Sequence, residues 1–124
     1  MKNNYLKKIL IFICLSFLIS TPSFSLTAEK YLIDRNSSDS VKINLLQVYI
    51  KGVGVANFWT NVTSSVLLDQ NLFCPPNTWS PKINDYLSYV DAEIVHRKNK
   101  GNYYKTDHIE FYMITYLVRT YPCK

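Results

Sequence analysis

Histidine occurs only at His96 and His108, and cysteine only at Cys14, Cys74 and Cys123, so a zinc site would lack well-spaced ligands. Glycine is equally scarce. Gly52-x-Gly54 is followed by no third glycine at the right spacing, which excludes a phosphate-binding fingerprint. Asp91 and Glu93 stand two residues apart, so on a helix they point away from each other instead of converging for acid–base work. The two histidines flank a polar loop, the usual place of a solvated helix-end residue and a poor one for a general base. The expectation is therefore a binding protein and not an enzyme, with no cofactor and no metal.

Long hydrophobic runs are limited to one. Lys2, Lys7 and Lys8 precede an apolar run from Ile9 to Ile19, and Ser23-Phe24-Ser25 supplies small residues after it, the three zones of a secretory leader. Such a run is short of the roughly 20 residues needed to span a bilayer. Residues 1–25 are read as a signal peptide cleaved after Ser25, and residues 26–124 as one small domain in the periplasm, with no membrane contact after cleavage. Cys14 leaves with the leader.

Removing the leader changes the charge. Fourteen Lys and Arg lose three to the leader, and the eleven that remain face nine acids, a balance of +2 in place of +5. No dense basic face is left, and nucleic-acid binding loses its support. Export also makes Cys74 and Cys123 an even pair in an oxidising compartment, which favours one intrachain disulfide. Its chain-entropy contribution would be about 4 kcal/mol, a large share for a small domain.

Ten tyrosines, six phenylalanines and two tryptophans exceed what a core of this size needs. Tyrosine buries its ring and leaves its hydroxyl wet, which suits interfaces. Along the chain, Thr27 to Ile33 reads as a short helical turn, and Asp39 or Ser40 can cap the next element. Leu45, Tyr49, Val53, Ala56 and Trp59 recur at helical spacing, with Leu46, Ile50 and Gly52 widening the stripe, to about Val66 or Leu68. Val41, Ile43 and Leu45 alternate as a strand would, and Gly52 and Gly54 are poor helix formers unless another backbone packs on them. The pattern favours helix over strand without settling it.

Phe73-Cys74-Pro75-Pro76 interrupts any helix. Ser80 then caps and Pro81 starts a second, carrying Ile83, Leu87, Val90 and Ile94 to about His96. A basic loop follows, Arg97 to Lys105. Asp107 with Glu110 has the look of a capping box, and Ile109, Tyr112, Met113, Tyr116 and Leu117 form a third amphipathic helix ending at Pro122. The fold expected is all-α: three main helices, a short N-terminal helix and one disulfide.

Four segments in this order resemble the Rap1a/Tai family of immunity proteins: Tyr49-Ile50-Lys51-Gly52-Val53-Gly54-Val55-Ala56, Phe73-Cys74-Pro75-Pro76, the Ser80-capped helix, and Tyr121-Pro122-Cys123. The resemblance covers about Leu45 to Cys123. It implies an all-α periplasmic protein, often a homodimer, that binds and blocks a peptidoglycan amidase effector delivered by type VI secretion and so protects the producer. It also implies helix over Gly52 to Ala56 and supports the Cys74–Cys123 bridge. The family motif usually carries Asp where Val55 stands, and many members have a further N-terminal cysteine pair that this chain lacks.

Such inhibitors, as the resemblance implies, plug the toxin's groove with a protruding segment. The basic loop supplies the first candidates, Arg97, Lys98, Asn99, Lys100, Asn102, Tyr103 and Tyr104, because arginine and tyrosine are common interface anchors. Trp79, on the stiff proline loop, is the other. Charge reversal at Arg97, Lys98 and Lys100 is expected to weaken binding while leaving thermal stability nearly unchanged. The alternative role is a general periplasmic binding protein, a chaperone-like helper with many clients.

Overall fold

A computed structural model describes residues 25–124. The expected leader, apart from Ser25, lies outside the described residues, as does Cys14. Within them are four helices, α1 (Ala28–Arg35), α2 (Ser40–Leu68), α3 (Ile83–Lys100) and α4 (Ile109–Thr120), and one isolated bridge between Thr27 and His108. The class is all-α, and the Val41-Ile43-Leu45 stretch is helical.

Local chemistry sets the helix ends. The Thr27 hydroxyl accepts from the Lys30 N–H at 3.3 Å to cap α1, and the Asp39 carboxylate accepts from the Val41 N–H at 2.9 Å to cap α2. The start expected at Ser80 moves to Lys82. There Asp85 reaches back from the first turn and accepts from the Lys82 N–H at 2.6 Å. A charged acceptor outcompetes a serine hydroxyl for that donor.

The helix that was expected to stop near His96 runs a further turn to Lys100 and is closed by Gly101 at φ 70°, a left-handed conformation that glycine adopts without penalty. Arg97, Lys98 and Lys100 therefore lie in a helical turn, where their charges complement the carbonyl end. Asp107 does not cap α4. His108 is the N-cap, Asp107 faces Arg97 at 3.9 Å, and Glu110 accepts from the Tyr49 hydroxyl instead.

The core gathers Tyr31 from α1, Leu46 and Ile50 from α2, Tyr86, Leu87, Val90 and Ile94 from α3, and Ile109, Tyr112, Met113 and Leu117 from α4, with Phe73 from the connecting loop. Fully burying one such side chain contributes about 1.5–3 kcal/mol. The α3–α4 hairpin is antiparallel, because Arg97 meets Thr115 while Glu93 meets Arg119. Residues 26–29 lie along residues 105–109. Ala28 donates to Asp107 O at 2.8 Å, Glu29 to Lys105 O at 3.0 Å, and Ile109 donates back to Leu26 O at 2.9 Å.

Helix α2 is rotated relative to the stripe read from sequence. Leu46, Ile50, Gly54 and Asn61 are buried, whereas Leu45 and Trp59 are 66 % and 60 % exposed. The cause is Gly54. A β-carbon there would overlap the Tyr86 ring, so α3 approaches α2 only on the side that glycine leaves open. Gly52 has nothing near it, so the close packing expected of both glycines holds at one.

Cys74 and Cys123 are joined by a disulfide, with Cα atoms 5.0 Å apart. A backbone bond runs beside it from the Cys74 N–H to Tyr121 O at 2.7 Å. Together they tie the proline loop to the end of α4.

The glycines give opposite expected outcomes. Gly52→Ala should stabilise the protein by about 1 kcal/mol through helix propensity, while Gly54→Ala should destabilise it by about 1–3 kcal/mol through overpacking. Urea unfolding of both variants beside wild type reads the difference, and equal signs would contradict the assigned α2–α3 contact.

Candidate binding surface

Aspartate and glutamate on α3 serve separate clusters, as their spacing requires. Asp91 accepts from the Tyr31 hydroxyl at 2.6 Å and from Arg35 at 3.1 and 3.3 Å. Burial, and then this carboxylate, push the Tyr31 phenol far above its ordinary value. Glu93 faces the other way. It is only 3 % exposed and is held by Arg97 at 3.0 Å, Arg119 at 2.8 Å and the Thr115 hydroxyl at 3.3 Å.

Arg97 is consequently an internal residue. Its guanidinium lies 4.5 Å from the Phe111 ring centroid and 4.8 Å from that of Tyr112, and its side chain is 12 % exposed. The expectation that all cations of this segment can be reversed without cost fails here, because reversal would set a second carboxylate beside buried Glu93. Lys98, Asn99, Lys100 and Asn102 are exposed, and Tyr104 is 62 % exposed. Tyr103 is half-buried, edge-on to Tyr112 at 6.4 Å, with Lys98 Nζ 4.9 Å from its ring centroid. Tyr104 is held from behind, since its carbonyl accepts from the Tyr112 hydroxyl at 3.1 Å.

Trp79 is half-buried and is not presented. Its ring packs against Phe73 at 6.0 Å, Tyr121 at 6.3 Å and Phe58 at 6.4 Å, in the corner that the disulfide closes. Tyr89 in the same region stacks on Tyr116 at 4.8 Å, and burial, then Tyr121, push its phenol up to about 12.

The tryptophan that is exposed is Trp59, which sequence periodicity had placed inward. It opens a row along the end of α2 with Val66, Leu67 and Leu68, which are 69–76 % exposed, and Leu72. A groove of about 520 Å³ runs between Trp59, Thr63, Leu67 and Leu72. Contiguous apolar exposure of this kind marks an interaction surface.

Asn61 sits at the root of this row; the sequence marks it only as the acceptor of an Asn-x-Thr sequon and not as a structural residue. Its carbonyl oxygen accepts from the Leu72 N–H at 2.7 Å and the Phe73 N–H at 3.0 Å, and its amide donates to Phe73 O at 2.9 Å. One buried side chain thus satisfies a loop that has no ladder of its own. The only sequence signal for that role was a polar residue on the buried side of a helix.

Among the described residues no three His, Cys, Asp or Glu side chains gather to hold a metal, and no helix is long and apolar enough to cross a membrane. Compared with known protein families, characterised proteins and solved structures, the chain matches none.

Truncating the internal arginine separates it from its neighbours. Arg97→Ala should cost about 3 kcal/mol in urea unfolding because it strips a buried carboxylate of a partner, whereas Lys98→Ala and Lys100→Ala should stay within about 0.5 kcal/mol. Three similar values would mean that Glu93 does not depend on Arg97.

Proposed function

We propose that this chain is a periplasmic immunity protein of the Rap1a/Tai kind, which binds and blocks a peptidoglycan amidase delivered by type VI secretion. The ordered motifs first suggested it. The observation that carries it now is the tip of the α3–α4 hairpin, where Asn99, Lys100, Asn102 and Tyr104 project to solvent while Arg97 and Tyr112 fix their base. A projection already held in shape loses little freedom when it enters a groove, which favours tight inhibition. Trp79 has no part in this contact. Arg97 acts as support, and Lys98, Asn99, Lys100, Asn102, Tyr103 and Tyr104 remain the inhibitory candidates.

Binding is to be measured by calorimetric titration against any amidase that the neighbouring genes encode, with survival of cells carrying periplasmic amidase as the biological readout. Lys100→Glu combined with Tyr104→Ala should weaken the complex by about 100-fold, the effect of losing an interface anchor worth 2–3 kcal/mol. Its melting temperature should stay near wild type. Survival and affinity unaltered by the double variant would remove the hairpin tip from the mechanism, and absence of any complex would remove immunity itself.

The apolar row of Trp59, Leu67, Leu68 and Leu72 is assigned to a second copy of the chain, consistent with the homodimer that the resemblance implies. Sedimentation should then give a dimer mass that Leu67→Lys with Leu68→Lys reduces to monomer. A wild-type monomer at high micromolar concentration would sink the assignment. The same exposed row favours the second reading, a chaperone-like helper, which would suppress aggregation of unrelated unfolded clients.

A further inference from the structure

The chain joins its fold at the residue where the expected leader ends. The Leu26 backbone nitrogen lies 3.1 Å from the Tyr49 hydroxyl oxygen, and that hydroxyl donates to Glu110 Oε1. From the other side, the Leu26 carbonyl accepts from the Ile109 N–H at 2.9 Å, so Leu26 is held at both of its backbone groups. The Ser25 hydroxyl, meanwhile, reaches both Glu110 oxygens at 3.0 and 3.1 Å and His108 Nδ1 at 2.8 Å.

Glu110 is half-buried in the first turn of α4, and no lysine or arginine pairs with it among the described residues. The helix N-terminus favours its charge without neutralising it. A cation placed beside Tyr49 and Glu110 would complete this cluster.

We propose that leader cleavage between Ser25 and Leu26 supplies that cation, the new α-ammonium of Leu26, which docks on the Tyr49 hydroxyl and the Glu110 carboxylate and fastens residues 26–29 to α4. The hydrolysis consumes one water, leaves a carboxylate on Ser25 and frees the Leu26 nitrogen, which takes up a proton. Departure of Ser25 also vacates the positions its hydroxyl held against Glu110. The ammonium, already at the Tyr49 oxygen, needs only a small movement to enter them. Cleavage precedes folding, because the Ser25–Leu26 bond is packed against α4 once the fold forms.

Burial and the Glu110 hydrogen bond both raise the Tyr49 phenol, so it stays a neutral bridge between the two charges. This inference rests on the leader reading and not on the identity of the toxin.

The full-length chain is exported from a bacterial host, and the product is analysed by intact mass and N-terminal sequencing. Its α-amine is then acetylated with limiting reagent at neutral pH, native and in urea. The product is expected to begin at Leu26, and its amine to react about tenfold more slowly native than unfolded, because the Glu110 carboxylate holds the amine in its protonated form. Glu110→Gln should restore the fast rate and lower the melting temperature. A different first residue would overturn both the leader boundary and the docking. A start at Leu26 with equal native and unfolded rates would overturn the docking alone and leave the leader boundary intact.

Discussion

The architecture turns on a carboxylate that cannot be left alone. Glu93 lies inside the α3–α4 hairpin, where an unpaired charge would cost several kcal/mol, on the order of 3–5 when one partner is lost. Arg97 and Arg119 are therefore drawn inward from two helices, and the register of the hairpin follows from where they meet Glu93. Arg97 in turn stacks on Phe111 and Tyr112, and Tyr112 fastens the Tyr104 carbonyl. What the hairpin shows to solvent is set by what it keeps inside.

This division explains why a basic segment is less basic in space than in sequence. The run Arg97-Lys98-Asn99-Lys100 reads as a flexible cationic loop, yet it is the last turn of a helix with its first cation consumed internally. The exposed remainder carries Lys98 and Lys100 beside Asn99, Asn102 and Tyr104.

Much of the fold was legible because helix period, proline breaks and the cysteine pair are local or compartmental signals. The class, the short first helix and the ends of α2 followed from them. What was not legible depended on partners distant in sequence. Periodicity gives the existence of an apolar stripe on α2, but its rotation was decided by the Tyr86 ring meeting Gly54. The start of α3 was decided by Asp85, and the loss of the Asp107 cap by Arg97. Trp59 lies exposed and Trp79 half-buried, the reverse of their expected placement, because Trp79 packs against Phe73 and Tyr121. The candidate surface was legible only in part, as a segment, since exposure within it is a property of the packed state.

Asn61 carries one consequence outside the binding question. Asn61-Val62-Thr63 is an acceptor sequence for N-linked sugar, and the folded protein uses every polar atom of that amide to hold Leu72 and Phe73. A glycan attached to the nascent chain would replace one hydrogen of the nitrogen that donates to Phe73, and its bulk would not fit the 8 % exposure of the site. Production in a eukaryotic secretory pathway would therefore yield chains barred from their native packing, whereas a bacterial envelope leaves the asparagine bare and the loop free to close.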